Sequence, residues 1–232
     1  MIDGKKVLCI TLARGGSSRV YKKNIALLAG TPLLNYTIDA VNLSNYIDKY
    51  IIATDDKNIE KIAIDSGVEC FRRKVVSNTQ TSAEGLLEVL DNISGYDYII
   101  EVMCTNPLKA AVDIDGVISK LHNTKADSVV SVVRIWDHHP SRVKHIENDQ
   151  LVDFYPEVPE SRRQDLTPAA YVRNGSVYAM TYNQIINNKV RLGKDTRPYI
   201  MPEERSINID EPIDLKLAEL LIFEKELVIE DK

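Results

Sequence analysis

The strongest constraint in this sequence is a rhythm. Short apolar runs of strand length alternate with stretches patterned for helices through most of the chain. Val7 to Ala13 is mostly apolar with no polar alternation, as a strand buried on both faces should be. Tyr50-Ile-Ile-Ala-Thr54, Tyr96 to Met103 and Ser128 to Ile135 read the same way, and Val68 to Arg72 is a shorter strand. Between them, Pro32 to Val41, Lys57 to Ser66, Ser82 to Leu90 and Asp113 to His122 carry helical periodicity, with Gly67 as a stop signal. Strand–helix–strand units at this spacing predict an α/β fold, with a mostly parallel sheet covered by helices on both faces. In such sheets ligands bind beyond the carboxyl ends of the strands, so the loops after Ala13, Thr54 and Met103 are where a site is expected.

The rhythm breaks between Trp136 and Val172, a span rich in Pro, Arg, Asp and His. It then resumes with strands at Ser176–Thr181 and Tyr199–Met201 and a closing helix from Pro212 to Phe223. The charged tail Glu224 to Lys232 is expected to fray. At 232 residues, the chain is read as a single domain, 1–232, with 136–172 as an excursion from it. A chain of this size buries about 70% of its unfolded surface and needs no covalent staples. Its 44% hydrophobic and 27% charged residues exclude a disordered or collagen-like chain.

Lys plus Arg number 29 against 34 for Asp plus Glu, a net charge of −5, which argues against nucleic acid as a partner. Cys9, Cys70 and Cys104 are odd in number and widely spaced, so neither a disulfide framework nor a zinc knuckle is indicated. No apolar stretch approaches membrane-spanning length and the N-terminus lacks a signal pattern, so no membrane role is expected. The expected location is the reducing cytoplasm.

Four groups of residues could carry chemistry. In Ala13-Arg-Gly-Gly-Ser-Ser-Arg-Val-Tyr-Lys-Lys-Asn24, Gly15 and Gly16 follow a strand and let backbone N–H groups approach an anion. Arg14, Arg19, Lys22 and Lys23 add cations suited to a triphosphate. The segment is neither a Walker A loop nor a GxGxxG fingerprint, and the plain alternative is a solvated basic turn. In Ser206-Ile-Asn-Ile-Asp210, Asn208 and Asp210 alternate with isoleucines, so both face one side of an extended segment and could hold Mg²⁺. The alternative is a half-buried strand whose Asp210 caps the next helix. Arg162, Arg163 and Arg173 could grip an acidic substrate in a bidentate way, or be surface charge. His138-His139 lacks a partner at ligand spacing, so it is read as orienting a loop or an interface.

Seven pieces then stand in order along the chain. They are the basic loop, Ala53-Thr-Asp-Asp56, Thr105-Asn-Pro-Leu-Lys109, Asp137-His-His-Pro140, Arg163-Gln-Asp-Leu166, Arg173-Asn-Gly175 and Glu204-Arg-Ser-Ile-Asn-Ile-Asp210. In this order and spacing, from about Lys6 to Leu221, they resemble the acylneuraminate cytidylyltransferases, also called CMP-sialic acid synthetases. The resemblance implies a Rossmann-like nucleotidyltransferase fold and a homodimer whose arms come from the excursion. It also implies that CTP and a 2-keto-3-deoxy sugar acid give a CMP-sugar and pyrophosphate with Mg²⁺. The sugar would be nonulosonic, of the sialic, legionaminic or pseudaminic type.

Residue by residue, the resemblance implies catalytic roles for Arg14, Lys23 and Asp210. It places the nucleotide on Ala13, Arg14, Gly15, Gly16, Ser17, Arg19, Lys23, Asn24, Arg73 and Thr81. It places the sugar on Met103, Thr105, Asn106, Arg163, Gln164, Arg173, Asn174 and Tyr178, with Arg163 on its carboxylate. It places the metal on Asp210 and Asn208. Three departures stand out. Ser18-Arg19 replaces the family's loop lysine and is closer to the related Kdo cytidylyltransferases. Met103 replaces a glutamine that contacts the sugar, and a thioether suits an apolar or deoxy group better than a hydroxyl. Asn208 replaces the first aspartate of Asp-x-Asp, removing one negative charge. The competing readings are a nucleotidyltransferase for an eight-carbon ulosonic acid or a hexose 1-phosphate, and a non-catalytic nucleotide-binding dimer.

Overall fold

A computed structural model describes residues 1–17, 19–74, 76–77, 79–156 and 161–230, with residues 225–230 described by their backbone alone. Ser18 and part of the expected excursion and tail therefore lie outside the described residues. In chain order the elements are β1 (Val7–Leu12), β2 (Leu27–Leu28), β3 (Thr31–Pro32), α1 (Leu33–Asn42), β4 (Lys49–Thr54), α2 (Lys57–Asp65), β5 (Glu69–Arg72), α3 (Ser82–Leu90), β6 (Tyr98–Val102), α4 (Ala111–Thr124), β7 (Ser128–Ile135), β8 (Lys144–Glu147), β9 (Gln150–Asp153), β10 (Ala170–Thr181), α5 (Tyr182–Asn188), β11 (Thr196–Ile200) and α6 (Pro212–Glu230).

Seven strands form one sheet in the order β11-β7-β10-β6-β1-β4-β5. Pairings around β1, β4, β5 and β6 are parallel, as is β7 with β11. β10 runs antiparallel to both β6 and β7. The apolar runs are continuous because both faces are buried. Val7 and Cys9 of β1 pack with Ile100, Val102, Val129 and Val177 against Ile114, Val117, Ile118 and Leu121 of α4. Leu8 and Ile10 turn the other way, with Ile51, Ile99 and Met180, onto Leu86, Val89 and Leu90 of α3 and Ile185 of α5. A third group joins α1, α2 and α6 through Leu34, Ile38, Ile59, Ala63 and Ala218.

Two sequence expectations are corrected. β10 begins at Ala170, six residues before the expected Ser176, inside the span assigned to the excursion. The reason is pairing: Ala170, Tyr171, Val172 and Arg173 find partners on Ile135, Arg134, Val133 and Val132, so two long strands leave the sheet together as an arm. The closing helix runs to Glu230 instead of ending at Phe223, so the tail is not simply frayed chain.

The arm carries the β8–β9 hairpin. At its base, His139 is buried and its ring nitrogens meet Ser141 Oγ at 2.8 Å and the Pro168 carbonyl at 2.9 Å. That histidine orients a loop, as its sequence context suggested, and among the described residues no His, Cys, Asp and Glu cluster is arranged to hold a metal. The Arg134 guanidinium lies 3.7 Å from the Trp136 ring centroid. Among the described residues no helix is long and apolar enough to cross a membrane.

On the α3–α5 face one charge is fully buried. Glu101 of β6 is shut off from solvent, and its Oε2 accepts from Arg191 Nη1 at 2.7 Å. The same guanidinium stacks 4.0 Å over Tyr178, which lies opposite Glu101 on β10. Removing one partner of such a pair strands the other charge in an apolar layer. Arg191→Ala is therefore expected to lower unfolding free energy by about 3–5 kcal/mol. Urea denaturation measures this, and a loss below about 1 kcal/mol, the range of an exposed ion pair, would show that Glu101 is not isolated from water.

Candidate active site

The carboxyl ends of β1, β4 and β6 lie together because these strands are parallel neighbours. The loops that follow them enclose a cleft of ≈ 440 Å³, within the usual range for a small-molecule site. Its walls come from four distant segments. Arg14, Gly16, Ser17, Arg19, Lys23 and Asn24 follow β1; Arg73, Val76, Gln80, Thr81 and Ser82 run from β5 into α3; Met103 and Thr105 follow β6; and Asp210 precedes α6.

The first wall is shaped by backbone contacts. Asp55, at the end of β4, accepts the Gly15 amide through Oδ1 at 2.8 Å and the Val76 amide through Oδ2 at 3.3 Å. One carboxylate thus joins the wall that follows β1 to the wall that runs from β5 into α3. Gly15 is needed here: a Cβ would stand 2.7 Å from Cβ and Oδ2 of Asp56, and Asp56 is fixed as the N-cap of α2. Asn24 donates from Nδ2 to the Arg14 carbonyl at 2.9 Å, closing the loop on itself.

The second wall presents a buried cation and a helix end. Arg73 is held by Glu88 Oε2 at 3.2 Å and Gln80 Oε1 at 2.8 Å. Thr81 is the N-cap of α3, with Glu84 completing a capping box. Since Thr81 and Ser82 line the cleft, the positive end of the α3 dipole faces it.

The third and fourth walls are tied together. The Ile209 amide donates to the Thr105 carbonyl at 2.7 Å, and Thr105 Oγ1 donates to Asn208 Oδ1 at 2.7 Å. The Asn208 amide nitrogen donates in turn to Asp210 Oδ2, whose other oxygen accepts from Lys23 Nζ at 2.8 Å. Gly175 makes room for this chain. Its φ is +63°, and a Cβ there would lie 3.1 Å from Asn208 Oδ1. Asn208 and Asp210 do face one side, as their spacing suggested. Asp210 is not a helix cap, however, because Asp214 accepts both the Asp210 and Glu211 amides.

The cleft therefore gathers Arg14, Arg19, Lys23 and Arg73 around one half-exposed carboxylate, Asp210. Such a site suits a polyphosphate, and Asp210 with phosphate oxygens is the hard-ligand set that Mg²⁺ accepts. Ala13 is buried behind the loop, its amide on the Ala53 carbonyl. Asn106 and Asn174 lie buried beneath the site. Asn174 accepts from Ser131 Oγ at 2.7 Å and donates to Ser206 Oγ at 2.9 Å, so it braces the segment carrying Asp210.

Six expected substrate residues are not among those lining the cleft: the buried Asn106 and Asn174, and Arg163, Gln164, Arg173 and Tyr178. Arg163 and Gln164 lie exposed in the arm, with Arg163 3.8 Å from Asp137. Arg173 is exposed on β10, and Tyr178 is buried beneath Arg191. Sequence reasoning missed Leu12, Val76, Gln80 and Ser82, which line the cleft, and the joining role of Asp55. Asp55 had a signal, since paired acids at a strand's carboxyl end were visible; the 73–82 segment had little beyond Arg73.

Residues 8–221 match a protein-family model described as Cytidylyltransferase. The chain is 31% identical over 230 residues to CMP-N,N'-diacetyllegionaminic acid synthase of Legionella pneumophila, covering 94% of this chain and 96% of that protein. It is 28% identical to N-acylneuraminate cytidylyltransferase of Escherichia coli O18:K1:H7, with 92% of this chain aligned; it spans about half, 51%, of that relative's length. In fold it is similar to a CMP:2-keto-3-deoxy-manno-octonic acid synthetase solved with CTP. The TM-score is 0.74 at 16% identity, covering 95% of this chain and 100% of that one.

Proposed function

Because the chain belongs to the cytidylyltransferase family, we propose that it joins CTP to a nonulosonic sugar acid of the legionaminic or sialic type, releasing pyrophosphate. The observation that carries this reading is the convergence of Arg14, Arg19, Lys23, Arg73 and Asp210 on one cleft at the carboxyl edge of the sheet. Hexose 1-phosphates bring no carboxylate, so the arginine-rich arm favours an acid. The thioether of Met103 in the cleft wall favours a sugar presenting a methyl or deoxy carbon there.

In the reaction, the anomeric hydroxyl oxygen of the sugar forms a bond to the α-phosphorus of CTP. The bond from that phosphorus to the bridging oxygen breaks, pyrophosphate leaves, and the hydroxyl proton is lost to solvent. The protein's task is positioning and charge neutralisation. Amides of Gly16 and Ser17 and the α3 N-terminus set the phosphates in place, while the Gly15 amide stays on Asp55. Arg14, Arg19 and Lys23 offset the charge that gathers on the departing pyrophosphate. Mg²⁺, when bound, would neutralise the phosphate oxygens further as a Lewis acid. Asp210 is the side chain that would hold it. Lys23 would then release one Asp210 oxygen and turn to the phosphates. Asn208 would ligate only by turning its carbonyl away from Thr105, so its first role in this reading is to aim Asp210.

The arm completes the proposal. Arg163 cannot serve as the sugar-carboxylate ligand of a cleft it does not line, unless a second copy of the chain supplies it. The arm exposes Ile146, Leu151, Phe154, Tyr155 and Tyr171, the apolar and aromatic surface that an interface between copies would cover. The proposed assembly is a homodimer in which each arm serves the partner's cleft.

Pyrophosphate release with CTP, Mg²⁺ and a panel of sugars tests the reaction. Nonulosonic acids should support turnover, while eight-carbon ulosonic acids and hexose 1-phosphates should not; the opposite order overturns the substrate reading. Within the active pair, Asp210→Ala should nearly abolish turnover. Asn208→Asp should stay active and lower the Mg²⁺ concentration needed for half-maximal rate. Substantial activity in Asp210→Ala would remove the metal assignment. For the arm, Arg163→Ala should raise the KM for sugar far more than that for CTP. Mixing Arg163→Ala with Asp210→Ala should restore activity at low sugar, because a mixed dimer holds one intact cleft facing one intact arm. No recovery, or a monomer by light scattering at micromolar concentration, would refute action across the dimer.

A further inference from the structure

Lys109 follows β6 and the cleft-lining turn, and it is only 4% exposed. Among the described residues no carboxylate pairs with it. Its ammonium instead donates to three oxygens: Thr37 Oγ1 of α1 at 2.7 Å, the Met103 carbonyl at 3.0 Å and the Asn106 carbonyl at 2.6 Å. Three donors thus meet three acceptors, two of them at either end of one turn. Burying an unpaired ammonium is costly, so simple core filling does not explain it.

The turn that Lys109 holds is the one that supports the site. Met103 and Thr105 line the cleft, the Thr105 carbonyl receives the Ile209 amide, and the Thr105 hydroxyl fixes Asn208, which holds Asp210. We propose that Lys109 is a positioning residue for the transfer reaction: by clamping the 103–106 turn it sets Asp210 and the Met103 wall in register with the nucleotide loop. This rests on the cytidylyltransferase reading of the cleft.

The clamp has a pH signature. Burial pulls the Lys109 ammonium down to about 8 from its ordinary value of 10.5, with Cys104, Cys9 and Asp113 pulling the other way. Around it, Cys104 of the same turn is pushed up by burial to about 12, and Cys9 of β1 is pushed up as well, so both stay neutral thiols near pH 8. The Tyr50 phenol of β4 is likewise raised, and Asp113 of α4 is engaged by Arg205 at 2.8 and 2.9 Å. α1 contributes the uncharged Thr37. Between about pH 8 and 10.5, Lys109 is neutral in the fold but would be charged in the unfolded chain. Through this group, folding stability therefore rises across that window as pH increases. Deprotonation, however, leaves two donors for three acceptors and slackens the turn. Activity and stability are thus driven in opposite directions by one proton.

The test is pyrophosphate release at saturating CTP, Mg²⁺ and sugar acid across neutral to alkaline pH, with wild type, Lys109→Met and Lys109→Arg, together with amide exchange of Ile209. In wild type, kcat should fall with a midpoint near pH 8, and Lys109→Arg, which cannot lose its charge, should lack that limb. Lys109→Met should lose about 10–100-fold in kcat, the range seen when the support of a metal ligand is removed, with a much smaller change in the KM for CTP. Its Ile209 amide should exchange faster than in wild type. Wild-type kcat and Ile209 protection in Lys109→Met would overturn the proposal, as would an identical alkaline limb in Lys109→Arg. If Lys109→Arg does not fold, Lys109→Met decides. If no sugar supports turnover in wild type, the reading of the cleft fails, while Ile209 exchange still judges the clamp on its own.

Discussion

The Lys23–Asp210 ion pair joins residues 187 positions apart in the chain, and the cleft depends on it. It is the last link of a chain that runs from the Thr105 hydroxyl through the Asn208 amide to the Asp210 carboxylate and on to Lys23. Its four residues come from three segments, so the loops after β1 and β6 and the approach to α6 cannot move independently. Asp210 is the one carboxylate among the described residues lining the cleft, and Arg19 and Arg73 pair with Glu211 and Glu88. In the proposed reaction the internal Lys23–Asp210 ion pair would be exchanged for a polyphosphate and its metal.

Around this chain the protein buries charges sparingly and gives most of them a charged partner. Arg73 has Glu88 and Gln80, Glu101 has Arg191, and Asp113 has both nitrogens of an Arg205 fork. Asp113 also accepts the Ala110 amide, so one carboxylate starts α4 and anchors the segment that leads to Asp210. Lys109 is the exception, held by neutral oxygens alone. A buried ion pair is weak evidence for stability, because desolvation offsets most of its attraction. Here such groups fix geometry: Lys109 holds the Met103 carbonyl, and Arg73 lines the cleft itself.

The arm follows a different logic. β7 and β10 are buried where they cross the sheet and exposed where they extend beyond it, and they stay paired in both regions with a register shift between Arg173 and Tyr178. Tyr171, Val172, Ile146 and Leu151 are apolar residues spent on surface, which a lone copy of the chain does not use. Arg163 stands in the same region, 61% exposed at its side chain, away from the cations that gather in the cleft. In the proposed dimer the phosphates and the sugar acid are handled by separate sets of cations, one fixed in the sheet's loops and one carried by the arm.

Much of this was legible in the residues. Continuous apolar runs of strand length pointed to strands covered on both faces, and the basic glycine loop after β1 was placed at the edge where such sheets bind ligands. Alternation alone put Asn208 and Asp210 on one side. These features are local, because strand and helix periods and turn chemistry act over a few residues. The start of β10 at Ala170 was not legible, since Tyr171 and Val172 read as irregular until paired with Arg134 and Val133. Nor could the sequence decide that Tyr178 would lie under Arg191, that Asp55 would join two walls, or that Arg163 would stand outside its own cleft. The sequence by itself determined which segments form strands, which loops end at the ligand edge and which side chains could bind phosphate. Only the tertiary structure decided which of them meet, because hydrogen bonds such as Thr105 to Asn208 and ion pairs such as Lys23 to Asp210 exist only after the sheet has brought distant loops together.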